Sequence, residues 1–368
     1  MERANALRTL DGNGTLKTSE GNLLPLNVDG LANAGGNSVN LFVAGDVRAN
    51  EQVGLTIMNT LFVCEHNRLA VMLRDRHPQW TGEQIYQKAR QLVGAAMQII
   101  TYSEYLPVLL GPGALSRYRG YREDVNAAIA NSFSTAAYRY GHSALSETLL
   151  GLEEFGQENL HGNLSLRDAF FNPGALIEEG GIEPILRGLA AQTCQTVDAR
   201  VIDDVRNFLF GPPGAGGFDL VTLNIQRGRD HGLPSYNDAR EAMGFERAFG
   251  YEDISSDFET QARLASIYDS PDDIDLWVGG LSEDPVPGAH VGLLFHAMVS
   301  EQFEALRDGD RYWYSLKLNE KERRMVEHLR LSDIIRLNTE INDELPDDVF
   351  RTDQQRRSES RRQRRSRR

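Results

Sequence analysis

Apolar residues recur at three- and four-residue steps through much of the chain, which is the period of an amphipathic helix. One such run extends from Leu55 to Met72 and predicts a helix of about 20 residues. A second run follows Thr81, whose side chain can form a capping box with Gln84. This second stripe continues until Pro107 and Gly111 stop it.

Further stretches have a helical pattern: 131–145, 180–192, Val197–Phe210, Phe258–Tyr268, Gly288–Leu306 and Glu320–Leu331. We find no internal repeat and no sustained alternation of the kind that strands require. The pattern therefore predicts a mainly α protein with little β structure, in a single helical domain over residues 41–350. Residues 1–40 are rich in Gly and Asn and lack periodicity, which predicts an extended N-terminal arm, and residues 211–217 (GPPGAGG) predict a loop.

Charge divides the chain into an acidic body and a basic end. The formal net charge is −14, yet residues 351–368 hold nine Arg against two acidic residues, so residues 1–350 carry −21. An acidic body argues against nucleic acid as the main ligand. The Arg-rich tail is compatible with binding to polyanions or a membrane surface, but a disordered, solvated end is the simpler interpretation.

Cysteine count and hydropathy exclude two further classes. Two cysteines, Cys64 and Cys194, do not make a disulfide framework, and Cys64 lies within an apolar helical pattern as a buried free thiol would. No run approaches the ~18 apolar residues of a membrane-spanning helix. Residues 1–20 are polar and contain no apolar core of a signal peptide, so the localisation is unknown from the sequence. The oligomeric state is unknown too.

Arg139 and His142, in the stretch NSFSTAAYRYGHSAL, are the first candidate functional pair. On a helix, a spacing of three residues puts both side chains on one face. An imidazole and a guanidinium on one face can hold a flat anionic metal cofactor, with nitrogen to the metal and cation to the carboxylates. A hydrogen-bonded structural histidine is the alternative, and for an isolated His it is the commoner one.

Polar residues interrupt apolar patterns in three more stretches: AGDVRANEQ (44–52), EHNRLA (65–70) and NIQRGRDHGLPSYN (224–237). In the first, Arg48 and Glu51 lie three residues apart and are compatible with a simple ion pair at a helix start. The remaining polar and aromatic residues are interpreted structurally. We expect Glu65, His66 and Arg68 to form a buried polar network, and Asp230 and His231 to brace the loop that carries Asn224. Trp277 and Trp313 are expected in the core.

These stretches together resemble the animal-type haem peroxidase family, which also has bacterial members. The motifs that carry the resemblance occur in the family's order over roughly residues 41–339: FVAGDVRANEQ, TLFVCEHNRLA, YRYGHSAL, GGIEPILRGL, NIQRGRDHGLPSYNDAR and DIDLWVGGLSEDPVPGAHVG. So many ordered matches are far more specific than any one motif.

The resemblance implies a role for each candidate residue. His142 would be the proximal ligand of the haem iron, and Asn224 would accept a hydrogen bond from the other ring nitrogen of His142. Arg139 would pair with a haem propionate. Arg48 matches the family's distal arginine, which would polarise the peroxide bond. Glu51 matches the acid that forms an ester with a haem methyl in several members.

Three departures from the family pattern are expected to matter. Gln52 occupies the position where myeloperoxidase, another member, has a methionine linked to the haem, so that link should be missing. The distal histidine and the calcium loop normally lie upstream of the AGD motif, but residues 1–41 contain neither a His nor such a loop. We therefore expect a peroxidase domain shortened at its N-terminus, without the calcium site and without a general base worth typically ~10²–10⁴-fold in rate.

The expected function is a haem-dependent peroxidase that reduces hydrogen peroxide and oxidises a small donor, either a halide or a phenol. A haem-binding or interaction domain with little turnover is the alternative, because the distal His is missing. A haem dioxygenase acting on fatty acids is a weaker alternative, because YRYGH does not resemble the tyrosyl-radical context of that branch. The family resemblance favours a secreted or extracellular setting.

Overall fold

The computed structural model describes residues 2–178, 180–211, 217–352 and 355. About 49% of the chain is helical, with little strand, so the mainly α fold predicted from the sequence is confirmed. The chain forms two compact units. The first comprises residues 1–104, 148–193 and 318–368, and the second comprises residues 105–147 and 194–317. The boundaries predicted for the arm, the domain and the tail stay predictions.

The described residues contain α-helices of four to 24 residues. In chain order these are α1 (Glu2–Ala6), α2 (Val53–Arg76), α3 (Gly82–Ile100), α4 (Leu106–Leu110), α5 (Asn131–Thr135), α6 (Leu166–Ala169), α7 (Gly174–Glu178), α8 (Glu183–Ala191), α9 (Asp203–Arg206), α10 (Leu220–Asp230), α11 (Tyr236–Ala242), α12 (Phe258–Ala265), α13 (Leu276–Ser282), α14 (Leu293–Asp308), α15 (Tyr314–Lys317), α16 (Glu320–Val326) and α17 (Leu331–Asn338). None of them is long and apolar enough to cross a membrane.

Shorter elements connect these helices. The 3₁₀ segments are Glu20–Asn22, Ala137–His142, Tyr251–Asp253 and Pro271–Asp273, and a π-helical turn occupies Thr101–Tyr105. Strands β1 (Thr148–Leu149) and β2 (Leu164–Ser165) form one antiparallel pair, with Thr148 opposite Ser165.

In the first unit, α2 packs against α3 and α17. The predicted capping box begins α3: Thr81 Oγ1 accepts from the N–H of Gln84, and Gln84 Oε1 accepts from the N–H of Thr81. Ile57 and Leu61 of α2 are fully buried with Ile334 of α17 in a core that α3 and α8 also line. The helices predicted over 55–72 and after Thr81 are thus present.

Part of the N-terminal segment contacts α2. The side chain of Asn67 bonds both backbone groups of Leu16, with its Oδ1 2.7 Å from the nitrogen and its Nδ2 3.0 Å from the oxygen. Leu23 and Leu24 are buried in the core of the first unit. This segment also contains the short helix α1, which the pattern of the sequence does not predict.

In the second unit, two adjacent glycines let α13 approach its neighbours closely. A Cβ on Gly279 would come within 2.4 Å of the Tyr236 ring of α11, and one on Gly280 within 2.1 Å of the Phe295 ring of α14. Tyr236 and Phe295 are fully buried. Trp277 and Trp313 are buried too, in line with the core positions predicted for them.

Two predicted helices are wrong in extent. The stretch 131–145 is α5 followed by the 3₁₀ segment Ala137–His142, with a break at Ala136, where φ is −128° and ψ is −70°. Asn, Ser and Thr side chains dominate its first turn, and such side chains compete for the backbone hydrogen bonds of a helix.

The stretch Val197–Phe210 contains only the four-residue helix α9. The Ser143 hydroxyl bonds both the carbonyl and the N–H of Asp198, at 2.6 and 2.9 Å, which withdraws that backbone from a helix. The loop predicted over 211–217 and the Arg-rich tail lie largely outside the described residues.

Candidate functional site

His142 ends the 3₁₀ segment Ala137–His142 of the second unit. A 3₁₀ helix has three residues per turn, so Arg139 and His142 lie on the same side of the segment even though the predicted α-helix is absent. The Trp277 indole N–H donates to the Arg139 carbonyl at 3.3 Å, and the Tyr138 ring stacks on Phe133 with centroids 4.7 Å apart. These contacts hold the backbone that presents both side chains.

Asn224 reaches His142 from α10. Asp219 caps the start of this helix by accepting from the N–H groups of Val221 and Thr222. At the other end, His231 Nδ1 lies 2.9 Å from Asn131 Oδ1, which ties α10 to α5. Asn224 is therefore carried by a helix, so the loop that Asp230 and His231 were predicted to brace is wrong; His231 contacts α5 from the end of that helix.

The predicted contact between Asn224 and His142 is present, with an orientation of the amide that the sequence did not predict. Asn224 Nδ2, and not Oδ1, lies 2.7 Å from His142 Nδ1. Asn224 Oδ1 accepts instead from Arg139 Nη1 at 3.2 Å. The three residues thus form one chain of contacts from guanidinium to amide to imidazole.

The His142 ring is held neutral. Burial, with a contribution from the Arg139 charge, lowers its pKa from 6.5 to about 4. No described residue bonds the ring at Nε2. A neutral imidazole is the charge state that ligates a metal ion, and Nε2 is the ring nitrogen without a partner among the described residues.

Arg227 is a member of this site to which the sequence analysis assigns no role. Burial lowers the pKa of the Arg139 guanidinium, and the positive charge of Arg227 lowers it further. Neither arginine forms an ion pair with a carboxylate of the described part of the chain. The spacing could have revealed Arg227, because it follows Asn224 by three residues on one helix and so shares its face. Two cations without a carboxylate partner among the described residues fit the two carboxylates of a haem.

Arg48 and Glu51 lie together in the first unit, in the loop that leads into α2. Asn50 fixes this loop by bonding both backbone groups of Phe42, at 2.9 and 2.8 Å. The Thr56 hydroxyl donates to the Ala49 carbonyl at 2.7 Å. Gln52, where a haem link is not expected, accepts from the N–H of Gly54 and caps α2.

The partner of Arg48 is Asp46, and not Glu51. The guanidinium makes two hydrogen bonds to the Asp46 carboxylate, at 3.0 and 2.8 Å, and 66% of its side chain is exposed. This contact lowers the pKa of Asp46 to about 2. Burial raises the pKa of the half-buried Glu51. The ion pair considered at the helix start is thus replaced by a bidentate one within the loop.

Comparison with known proteins places this geometry in context. A model of the family described as animal haem peroxidase matches residues 1–350. The chain belongs to the animal haem peroxidase family. Haem is the cofactor that this family membership implies, and His142 with the guanidinium groups of Arg139 and Arg227 is compatible with it.

Two curated relatives in the family are 40% identical to the chain. They are thyroid peroxidase of Sus scrofa, over 324 residues and 85% of the chain, and peroxinectin A of Dictyostelium discoideum, over 354 residues and 94% of the chain. The chain spans 35% and 65% of the length of these two proteins. Peroxidase A from Dictyostelium discoideum is a solved structure with a TM-score of 0.88 and 38% identity, covering 95% of this chain and 68% of its own.

The buried polar residues outside the site agree with a structural interpretation. Glu65 and His66 are 1% and 3% exposed. Arg68 makes two hydrogen bonds of 2.7 Å to the Glu65 carboxylate, and Asn338 adds one of 2.8 Å. This network joins α2 to α17. Among the described residues, no group of three or more His, Cys, Asp and Glu side chains is arranged to hold a metal ion.

Proposed function

We propose that the protein is a haem-dependent peroxidase that reduces hydrogen peroxide to water with two electrons from a small donor, a halide or a phenol. The observation that carries the proposal is the neutral His142 ring, bonded by Asn224 at Nδ1 and without a partner at Nε2 among the described residues. Its family membership and the identity of about 40% to named peroxidases support the same conclusion.

Each residue of the candidate site has a separate role in the proposed function. His142 ligates the haem iron through Nε2, and Asn224 orients the ring. Arg139 and Arg227 bind the two haem carboxylates, because charge-assisted hydrogen bonds to a guanidinium are strong and directional. When bound, the haem supplies the redox chemistry that no protein side chain has. Arg48 stabilises negative charge on the peroxide oxygen, a role that the planar guanidinium fills better than the ammonium of a Lys.

The test is an absorption titration of the whole chain with haemin. We expect a Soret shift that saturates at one haem per chain and disappears in His142→Ala. His161→Ala is the matched control, since His161 is an exposed histidine of the first unit, and it should bind haemin as the unaltered protein does. The absence of saturable binding, or equal binding by His142→Ala, would contradict the proposal.

Turnover distinguishes the proposed peroxidase from a haem-binding domain. The loaded protein should oxidise a phenol or a halide in a peroxide-dependent manner, faster than free haemin does. Arg48→Lys should bind haem normally but turn over more slowly, because a point charge does not reproduce the planar fork of Arg. Strong binding with activity no better than free haemin would favour the haem-binding alternative, and oxygen uptake on addition of a fatty acid would favour a dioxygenase.

A further inference from the structure

The side-chain amide of Asn224 contacts two groups, and one of them fixes the orientation of the amide. Its Oδ1 lies 3.2 Å from Arg139 Nη1, and its Nδ2 lies 2.7 Å from His142 Nδ1. A guanidinium has only donors, so the atom that faces Arg139 must be the oxygen. The NH₂ group of the amide therefore faces His142 and donates to Nδ1.

This direction of the hydrogen bond decides the tautomer of His142. A neutral imidazole carries one proton, and a ring that accepts at Nδ1 carries it on Nε2. Nε2 then has no lone pair to offer a metal. Turning the amide over would free Nε2, but it would also point an NH₂ group at the guanidinium of Arg139, donor against donor.

Within the described part of the chain, the hydrogen bonds of Arg139 go to neutral oxygens. Its Nε donates to the Ser134 carbonyl at 3.0 Å, and its Nη1 donates to Asn224 at 3.2 Å. A carboxylate makes shorter and roughly twice stronger bonds to a guanidinium than an amide oxygen does. An anion that engages the Nη groups therefore competes well with Asn224.

We propose that Arg139 is a positioning residue that couples the binding of a cofactor carboxylate to the tautomer of His142. While Arg139 holds Asn224 Oδ1, the proton stays on Nε2. When a carboxylate takes the guanidinium, the amide turns over and accepts from Nδ1–H, and the Nε2 lone pair becomes available. The net protonation of the ring is unchanged, because one proton leaves Nε2 to water and another arrives at Nδ1.

The coupling rests on the proposed function in one respect, the assignment of His142 as ligand and Arg139 as carboxylate partner. It adds an order of events: recognition of the carboxylate precedes ligation. A flat metal complex without carboxylates would meet a histidine with the wrong nitrogen protonated.

The first test measures the tautomer directly in the metal-free chain by nitrogen-15 NMR of labelled histidines, with the His142 signals assigned from their loss in His142→Gln. We expect an Nε2–H ring in the unaltered protein. Arg139→Met, which removes the donors at similar length, should shift the ring to Nδ1–H. Arg139→Lys, which keeps a donor, should restore Nε2–H. An Nδ1–H ring in the unaltered protein, or no change in Arg139→Met, would overturn the proposal.

Asn224→Asp keeps the test decisive should Arg139→Met fold poorly. A carboxylate can accept from Arg139 and from His142 at once, so this variant should show the Nδ1–H ring with Arg139 in place. Dispersed amide spectra verify that each variant is folded. An Nε2–H ring in Asn224→Asp would contradict the mechanism.

The second test compares haemin with its dimethyl ester, whose carboxylates are blocked. In the unaltered protein, His142 ligation of the ester should be weaker than that of haemin by on the order of tenfold, and this difference should shrink in Asn224→Asp. Equal ligation of the two cofactors would overturn the coupling. If haemin itself binds independently of His142, the proposed function fails, whereas the tautomer measured without metal still decides whether Arg139 controls the ring.

Discussion

At the scale of single residues, the site shows which of its features a sequence can reveal. The three-residue spacing of Arg139 and His142 indicates a shared face in any helical segment. Asn224 is 82 positions away from His142, and only the family resemblance pairs them before the structure is known. The orientation of the amide depends on the competing guanidinium, which is a tertiary contact that no local pattern encodes.

His66 is a buried histidine outside the site, and it makes stability depend on pH. Its Nε2 lies 3.0 Å from the Gly14 carbonyl, so this nitrogen carries the proton of the neutral ring. Burial lowers the pKa of His66 below 6.5, the nearby Arg8 charge lowers it further, and the bond to Gly14 opposes both effects. At a pH between the lowered pKa of His66 in the folded state and its pKa of 6.5 in the unfolded state, the unfolded chain binds more protons than the folded one. The free energy of unfolding therefore falls as pH drops below 6.5.

We expect His66→Gln to reduce this pH dependence, because the amide of Gln can keep the bond to Gly14 but does not titrate. Urea unfolding at pH 7.5 and pH 5.5 gives the loss of stability for each protein. The loss should be larger for the unaltered chain than for the variant. Equal losses would mean that His66 titrates alike in the folded and unfolded states.

Glu283, the residue after α13, is a buried carboxylate that accepts hydrogen bonds from α11 and α14 of the second unit. It accepts from the Tyr236 hydroxyl at 2.8 Å, from Arg240 at 2.6 Å and from the N–H of Leu294 at 2.7 Å. Removing one partner of a buried pair leaves the other charge uncompensated. We expect Glu283→Ala to lower the free energy of unfolding by about 3–5 kcal/mol.

Fluorescence of Trp277 and Trp313, both in the second unit, would follow the unfolding of Glu283→Ala in urea. Glu301→Ala is the control, since Glu301 is an exposed carboxylate of α14, and it should change stability by less than about 0.5 kcal/mol. Similar effects of the two substitutions would show that the Glu283 contacts contribute little net stability.

At the scale of elements, sequence patterns succeeded where a helix has an apolar stripe and local capping. The helix α3 has both, and it begins one residue after the predicted cap Thr81. The patterns failed where side chains from other segments bond the backbone, as Ser143 does for Asp198. A propensity computed along the chain contains no information on such a contact, so the helix predicted over Val197–Phe210 shrank to four residues.

Close packing of α8 against Leu150, the residue after β1, depends on one glycine. A Cβ at Gly188 would come within 1.8 Å of the Leu150 carbonyl oxygen, and a backbone atom cannot move aside as a flexible side chain does. We expect Gly188→Ala to lower the free energy of unfolding of the first unit. Overpacking typically costs ~1–3 kcal/mol, and the effect here should lie in the upper part of that range. Urea unfolding followed by Trp80, which lies in that unit, measures the change.

Gly94→Ala provides the matched comparison for Gly188→Ala. Gly94 is exposed on α3, and a Cβ there would meet nothing within 4 Å. The same substitution should therefore stabilise the protein by ~0.5–1 kcal/mol, because Ala loses less backbone entropy than Gly in a helix. A destabilising Gly94→Ala, or a neutral Gly188→Ala, would contradict the packing argument.

At the scale of the whole molecule, the distribution of charge along the sequence predicts that the C-terminal end binds polyanions. This prediction does not depend on the internal geometry of either unit. The last 13 residues contain eight Arg and one Glu, so removing them changes the formal net charge from −14 to −21. Exposed charges separated by more than ~8–10 Å interact weakly at physiological salt. The basic end can therefore bind a polyanion although the molecule as a whole is acidic.

We expect the full chain to be retained on a heparin resin at low salt and released as the salt rises towards about 0.5 M, where screening shortens the range of the interaction. A chain ending at Gln355 should pass through unretained at any salt concentration. Replacing the eight arginines by Gln is the control for chain length and should abolish retention in the same way. Retention of both variants would locate the polyanion contact on the acidic body, and the charge asymmetry would then not explain it. If the shortened chain also binds haemin as the full chain does, the basic end and the candidate haem site act independently.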